Sequence, residues 1–485
     1  LGADRDGYVL TNFPYLNNGP KDLIGNSGKG KEYAYRSYFG RVMYSYADRY
    51  LFQANIRHDG SSRFAKKHRW GTFPSFSAGW VLSEENFMKN LNWEWLSFLK
   101  IRATWGALGN ERIGDFPYMS TIAFGNTIFY QNNGIYFDQT ASQQKYAIEN
   151  VTWEKTESTD IGLDISFLNN RLRVNGDYYW KNTKDMLLAM AIPDFLGFSD
   201  PDVNAGKMST KGYELNVSWN DHIGDFSYGI AINFSDFTSK MGDLQGTQFL
   251  GDKVKMEGSE FNEWYGYVSD GLFLTEEDLK NSPKINDKNT QLGDIKYKDI
   301  SGPDGVPDGK ISPEYDRVLL GSSLPHFLYG GNINLGYKNF DLSLAFQGVG
   351  KQNARLAREM VESFRNNYGN FPAIIDGNYW SPYNTDEQNA VAKYPRLTHV
   401  NKSSNYAMSD YWLFNGGYFR LKNITLGYTF PKEWMNAIGI KGARIYASAS
   451  DLFCLSKYPK GWDPEMGVSE YPITTSILLG VSVNF

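Results

Sequence analysis

Thr475-Ser476-Ile477-Leu478-Leu479-Gly480-Val481-Ser482-Val483-Asn484-Phe485 decides the fold. Ile477, Leu479, Val481, Val483 and Phe485 fall on one face of an extended strand, because successive side chains point to opposite sides. Ser476, Leu478, Gly480, Ser482 and Asn484 fall on the other. One face is greasy, the other is mostly small or polar, and the last residue is aromatic. An outer-membrane β-barrel has this pattern, since its lipid face must be apolar and its lumen face can be wet. The last strand of a soluble β-sandwich would alternate too, so the rest of the chain has to separate the two.

Composition favours the membrane. Aromatics make up 16% of the 485 residues, with 33 Tyr, 31 Phe and 13 Trp. Yet the mean hydropathy is −0.48. Many aromatics without overall hydrophobicity fit strands that show apolar residues at every second position and end in aromatic girdles. No run of 18 apolar residues exists, which excludes membrane-spanning helices. Forty-nine basic against 54 acidic residues give a net charge of −5, which offers nothing to a nucleic-acid backbone. Cys454 has no partner cysteine, and His58, His68, His222, His326 and His399 form no metal-type spacing. The first residues carry no export leader, so the chain reads as the C-terminal part of a longer protein.

Alternation predicts thirteen strands, at 38–47, 50–59, 73–82, 98–107, 158–168, 171–181, 211–220, 226–236, 326–337, 339–349, 418–430, 442–452 and 474–485. Phe340, Leu342, Leu344 and Phe346 oppose Asp341, Ser343, Ala345 and Gln347, for example. The links alternate in length as periplasmic turns and extracellular loops do. Short ones lie at 47–50, 168–171, 220–226, 337–339 and 430–442; long ones lie at 59–73, 107–158, 181–211, 236–326, 349–418 and 452–474. The link at 83–97 falls on the periplasmic side, and Ser83-Glu84-Glu85-Asn86-Phe87 predicts a helical turn there. Residues 262–270 look like a strand, but counting them as a crossing breaks the parity, so they belong inside the excursion 236–326. Thirteen is odd, whereas single-chain bacterial barrels have even counts, so strands are expected upstream. The fold class is all-β: a transmembrane antiparallel β-barrel with long extracellular loops.

Several segments carry a family resemblance. Arg57-His58-Asp59-Gly60-Ser61-Ser62-Arg63-Phe64 followed by Trp70-Gly71-Thr72-Phe73-Pro74-Ser75 resembles a signature of SusC/RagA-like TonB-dependent transporters. Leu99-Lys100-Ile101-Arg102-Ala103-Thr104-Trp105-Gly106, Gly321 with Pro325, Tyr394-Pro395-Arg396-Leu397, Tyr418-Phe419-Arg420-Leu421 and Asp463-Pro464-Glu465 extend it in order along the chain. The resemblance implies a plugged barrel of the 22-stranded class, of which about thirteen C-terminal strands lie here. The plug, the TonB-contacting segment and about nine strands are then expected upstream. It also implies active import of oligosaccharides, or of peptides, across a Bacteroidota-type outer membrane, with a SusD-like surface lipoprotein as lid and TonB as energising partner.

The candidate site residues are of three kinds. Asp299, Ser301, Asp304 and Asp308, in Asp299-Ile300-Ser301-Gly302-Pro303-Asp304-Gly305-Val306-Pro307-Asp308-Gly309, resemble a calcium loop, which alternates oxygen ligands around a Gly turn. Pro303 upsets that ligand register, and an Asp/Gly-rich turn would read the same way. Calcium is the one cofactor the sequence raises. Trp153, Trp264, Tyr265, Tyr267, Trp380, Tyr383, Tyr411 and Trp412 lie in long loops and offer flat faces on which sugar rings could stack; packing of loop on loop is the plainer reading for any single one. Phe485 is the expected assembly signal. Arg57, Asp59, Arg63 and Arg102 read as scaffold at strand ends or on the lumen face. No Ser/His/Asp or Cys/His set has a supporting context, so the reading is transport without catalysis. The alternatives are a lidless siderophore or vitamin receptor, a passive porin, and a surface protein that binds or degrades glycans.

Overall fold

The computed structural model describes residues 2–5, 24–27, 32–131, 134–143, 145–190, 192–246, 250–286, 288–365, 371–467 and 470–485. Thirteen strands form one sheet: β1 (Tyr35–Tyr46), β2 (Tyr50–Ser61), β3 (Trp70–Val81), β4 (Leu96–Asn110), β5 (Glu154–Phe167), β6 (Leu172–Lys184), β7 (Met208–Ile223), β8 (Phe226–Met241), β9 (His326–Tyr337), β10 (Phe340–Lys351), β11 (Tyr418–Thr429), β12 (Gly442–Ser456) and β13 (Ser476–Asn484). Each pairs with the next in sequence, always antiparallel, so the wall is an unbroken meander. All thirteen fall on the stretches that alternation marks. Several run further at their extracellular ends; β7 and β8, for instance, stay paired out to Met208 opposite Met241. The ladder there rises past the bilayer, where no apolar alternation is imposed and the sequence signal fades.

Register confirms the faces. Phe340, Leu342 and Leu344 stand opposite Tyr428, Leu426 and Ile424. Leu426 and Tyr428 in turn stand opposite Ala447 and Ile445, and those opposite Leu479 and Val481. This continuous apolar face stays open: Ile477 and Leu479 are 75% and 81% exposed. A hydrophobic sheet face left uncovered has lipid as its solvent. A bulge at Lys422 lets Leu421 and Ile424 both remain on it. On the inner face the Tyr446 ring lies across Gly480, where a Cβ would come within 2.3 Å of it. Girdles of Tyr46, Tyr50, Trp80, Trp93 and Trp95 at the short-turn end and Tyr38, His58 and Trp70 at the other bracket the band. In the periplasmic link, Leu82–Glu84 and Asn86–Lys89 are single helical turns, as predicted. Among the described residues no helix is long and apolar enough to cross a membrane.

The protein's buried core lies outside the wall, in the extracellular links. Strand Glu263–Tyr267 sits inside the excursion 236–326, as parity required, between Lys253–Val254 and Arg317–Gly321. Ser269–Leu272 pairs with Ile295–Tyr297, and Asn353–Arg355 with Leu413–Asn415. Tyr267, Leu272, Ile295, Tyr297 and Ile311 from the first excursion pack with Met360, Val361, Ile375, Tyr406 and Trp412 from the second. The two longest loops are therefore one folded subdomain. A second cluster, Phe64, Phe73, Ile113, Val151 and Trp153, closes the top of β2 to β5. The link 107–158 contains a hairpin, Ile122–Gln131 with Gly134–Gln143, that alternation did not mark.

Candidate functional site: the lumen wall and the extracellular cleft

Arg102 is the hub of the inner wall. Register places Gly162 between Arg102 on β4 and Asp177 on β6. A Cβ on Gly162 would come within 2.4 Å of the guanidinium, so glycine is what lets the side chain lie across the strand. Arg102 then donates to Asp177 at 2.7 Å, Asp164 at 3.3 Å and Asp160 at 3.4 Å. Lys100 adds a contact to Asp164 at 3.7 Å, and Asn175 donates to the same carboxylate at 2.8 Å. Higher on the wall, Arg420 is 3% exposed and binds Asp463 at 2.6 Å and Glu465 at 2.5 Å. Gln347 donates to Glu465 at 2.9 Å. The β12–β13 link is thereby tied down onto the inner face. Arg57 pairs with Asp59 at 3.2 Å and Arg63 with Asp115 at 3.2 Å, the scaffold roles expected of them.

The subdomain is locked by one buried carboxylate. Asp294 is fully buried and accepts from Arg396 at 2.8 and 3.1 Å, Asn401 at 2.8 Å and Asn405 at 2.9 Å. Asp294 belongs to the first excursion and the other three to the second. The signal was present in the sequence: Tyr394-Pro395-Arg396-Leu397 sets an arginine among apolar neighbours, which requires a counter-charge. Nearby, Lys296 sits between Asp270 at 2.9 Å and Asp278 at 3.0 Å. Burial works against its charged form, but the two carboxylates outweigh it and hold the ammonium above its ordinary pKa. Burial raises the Tyr297 phenol, whose hydroxyl donates to the Ser404 carbonyl at 2.7 Å.

The structure divides the loop aromatics sharply. Trp153 is 2% exposed, flanked by Phe64 and Phe73 with centroids at 5.3 Å, and its indole donates to the Arg69 carbonyl. Tyr267 and Trp412 are core residues of the subdomain. Tyr411 packs against that core and donates to the Lys393 carbonyl at 2.9 Å. Trp264 and Tyr265 each carry a cation over the ring, Lys253 at 4.5 Å and Arg317 at 4.7 Å. Trp153, Tyr267 and Trp412 are thus buried, whereas Trp264 and Tyr265 are half-buried with one ring face taken by a cation. Trp380 and Tyr383 come together instead, in a cleft of about 580 Å³ with Glu276, Gln291, Tyr379 and Arg396 in its lining. Tyr383 is 96% exposed, and the Trp380 ring rests on Gly293, whose φ is +82°. Glu276 and Gln291 were missed in the sequence because the chain brings them in from more than 80 positions away, and Tyr379, next to Trp380, was not singled out.

The Asp/Gly loop is arranged as a turn. Asp299 accepts from the Gly309 amide at 2.6 Å and Asp308 from the Lys310 amide at 3.0 Å. The neighbouring Asp316, not among the expected ligands, takes the amides of Ile300, Ser301 and Ser312. Asp304 is exposed. Among the described residues no three His, Cys, Asp or Glu side chains converge as a metal site. One oxygen each of Asp299 and Asp308 is committed to a backbone N–H group, whereas the buried Asp299 Oδ1 has no hydrogen-bond partner among the described residues. Phe485, 84% exposed, follows β13.

A meander with a lipid-facing band, a charged inner wall and a folded extracellular side is the wall of an outer-membrane β-barrel. Residues 2–452 match the family described as TonB dependent receptor-like, beta-barrel, and the chain belongs to that family. Within it the chain is SusC-like. It is 32% identical to TonB-dependent receptor SusC of Bacteroides thetaiotaomicron over 93% of this chain and 43% of that protein. It is 31% identical to TonB-dependent receptor P3 of Formosa agariphila over 88% of this chain and 42% of that one. The solved RagAB peptide transporter superposes with a TM-score of 0.79 at 23% identity, over 99% of this chain and 51% of that one, which shows a shared fold. The chain thus spans less than half the length of the curated relatives it matches.

Proposed function

We propose that the protein to which this chain belongs imports oligosaccharides, or as the second choice peptides, through the outer membrane, driven by TonB and covered by a SusD-like lipoprotein. The single observation that carries this is the pairing of a charged inner wall with an extracellular subdomain that keeps one aromatic cleft open. A sugar presents an apolar ring face and a rim of hydroxyls. Trp380 and Tyr383 supply the platform, and Glu276 and Gln291 supply hydrogen-bonding groups at its edge. The kinship with a protein named SusC supports the lid and the energising partner; the peptide alternative draws on the RagAB likeness, which is one of fold. The extracellular subdomain has ample surface for a lid interface of well over 1,000 Å².

The test is purification of the full-length transporter from native membranes in mild detergent, with uptake assays on cells. A SusD-type lipoprotein should copurify at about one to one, and deleting its gene should abolish uptake. Trp380→Ala with Tyr383→Ala should lower uptake at limiting oligosaccharide while leaving surface levels unchanged. A transporter that emerges alone, with uptake indifferent to the lipoprotein, would move the reading to the lidless receptor class. We also assign Phe485 to assembly: its deletion should leave the chain in the periplasm to be degraded, and normal outer-membrane levels would overturn that role.

A further inference from the structure

Charge is not spread evenly over the inner wall. On β4 to β6 four consecutive registers each hold an ionised side chain: Lys100 opposite Asp164, Arg102 and Asp177 on either side of Gly162, Thr104 opposite Asp160, and Ser158 opposite Lys181. Glu214 on β7 stands opposite Asp177 and belongs with them. From there to β12 the lining changes. One cross-strand row runs Ser218, Ala231, Asn332, Ala345, Asn423, Ser450. It meets charge, at Arg173, only where it reaches β6. The next row toward the periplasmic turns is again uncharged on all six strands and includes Asn334, Ser343 and Thr425. No side chain in either row is larger than Asn or Thr. The charged groups that flank the rows are paired off: Arg420 with Asp463 and Glu465 and Lys422 with Asp451 on the extracellular side, Asp341 with Arg444 at the periplasmic end.

The amides in this band are open to a solute. Asn332 is exposed and its side chain makes no hydrogen bond among the described residues. The same holds for Asn216 and Asn233, which face each other one row up. Asn334 accepts from Ser343 at 2.7 Å and keeps its N–H groups for other acceptors. Asn332 lies on β9, with eight strands to one side and four to the other, so its exposure to the lumen does not come from a sheet edge. A sugar hydroxyl both donates and accepts, as a carboxamide does. Conduction needs binding strong enough to admit a solute and weak enough to release it, at several sites in succession. Neutral amides and hydroxyls meet that need. A charge-assisted hydrogen bond is roughly twice as strong and would hold the solute back. Short side chains keep this flank of the lumen wide. The rows also run obliquely through the membrane. Six strands about 4.8 Å apart span about 24 Å, which a strand tilt of about 40° turns into about 15 Å along the barrel axis.

We propose, taking the oligosaccharide reading above as given, that the inner face of β7 to β12 is the flank along which the sugar crosses the membrane. It is handed from one neutral amide or hydroxyl to the next, and the charged face of β4 to β6 takes no part in its passage.

The test is uptake by cells carrying the full-length transporter. The probes are neutral glucan, mannan and xylan oligosaccharides, and those taken up only when the gene is present are used. Asn332→Trp should lower the maximal uptake rate severalfold and leave the half-saturating concentration unchanged, because capture happens at the extracellular cleft. Ser343→Arg, which puts length and charge into the second row at a lumen position, should do the same. Asn332→Ser, short and neutral, should keep the wild-type rate. Thr104→Trp points inward from β4 beside an open cavity of about 670 Å³ that has room for the indole, and should also keep it. Surface levels and heat-modifiable mobility show that each barrel is intact. Equal losses from Asn332→Trp and Thr104→Trp, or no loss from Asn332→Trp and Ser343→Arg, would overturn the path. So would entry of vancomycin through the Asn332→Trp variant, since the row would then seat the plug rather than conduct the sugar. Failure of the oligosaccharide reading looks different: the wild type then takes up none of the probes, and the path falls with that reading.

Discussion

The wall and the extracellular subdomain are two solutions to burying the same kind of chain. The wall puts its apolar residues outward, where Leu479 is 81% exposed and Phe340 53%. Its interior is polar, with Arg102 set among three carboxylates. The subdomain reverses the arrangement: Ile375 and Val361 are buried at its centre, and its fully buried carboxylates are satisfied, Asp294 by Arg396 and two asparagines and Asp316 by three backbone amides. The wall is a protein whose core is lipid; the subdomain is a water-soluble fold carried on top of it. Charge is destructive outside the first and inside the second. Breaking one should leave the other standing.

The largest effect is expected at the subdomain lock. Asp294→Ala leaves Arg396 buried without its counter-charge, with only the Asn289 carbonyl still accepting from it, and removing one member of a buried pair costs about 3–5 kcal/mol. The two excursions should come apart and become cleavable by protease added to intact cells. The barrel should keep its heat-modifiable mobility on gels. Loss of both together would dissolve the distinction between the regions.

Next comes the wall. Arg at a lipid-facing mid-bilayer position costs about 2–4 kcal/mol. Leu344→Arg should lower assembled barrel sharply, whereas Ser343→Arg, one residue away on the lumen face, should be nearly silent. Equal losses in outer-membrane fractions would sink the assigned faces. A similar contrast separates two tryptophans. Trp153→Ala should cost about 3–5 kcal/mol in the cluster that caps β2 to β5, because Phe64 and Phe73 lose their central partner. Trp380→Ala, at a half-open cleft, should leave folding close to unchanged and show itself in uptake.

The two regions also differ in how far sequence reveals them. Lipid outside and water inside force a period of two on every crossing, so β10 and β13 can be read from eleven or twelve residues each. The subdomain imposes no such period. Its strands are two to five residues long, as in Lys253–Val254 and Arg317–Gly321. Its decisive contacts span great separations, Asp294 to Arg396 and Ile295 to Asn405 among them. No local pattern encodes those, and so the sequence could offer Tyr267 and Trp412 as candidate platforms even though packing is the plainer reading for each. The hairpin Ile122–Gln131 with Gly134–Gln143 is a different case. Asn133-Gly134 is a strong turn signal in the sequence, but the flanking residues mix Thr, Asn and Gln into the alternation because neither face meets lipid.

The smallest effect sharpens the comparison through pH. Lys296 is held between Asp270 and Asp278 with its pKa raised above the ordinary lysine value of 10.5. A basic group whose folded pKa is raised adds stability that is fully present below its unfolded pKa. That contribution disappears as pH climbs through the folded value. The pair therefore adds nothing to the pH dependence between about 6 and 9 and begins to fail only above about 10.5. Replacing Lys296 with Met removes two charge-assisted hydrogen bonds and leaves Asp278 partly buried, for a cost of about 1.5–3 kcal/mol. In protease-resistance titrations of the subdomain, the wild type should hold level through neutral pH and fall in strong alkali. The Lys296→Met variant should start lower and lose less in that alkaline range. If the variant instead loses resistance between pH 6 and 9, a different titrating group governs the subdomain, and Lys296 is not part of what makes it a self-standing fold.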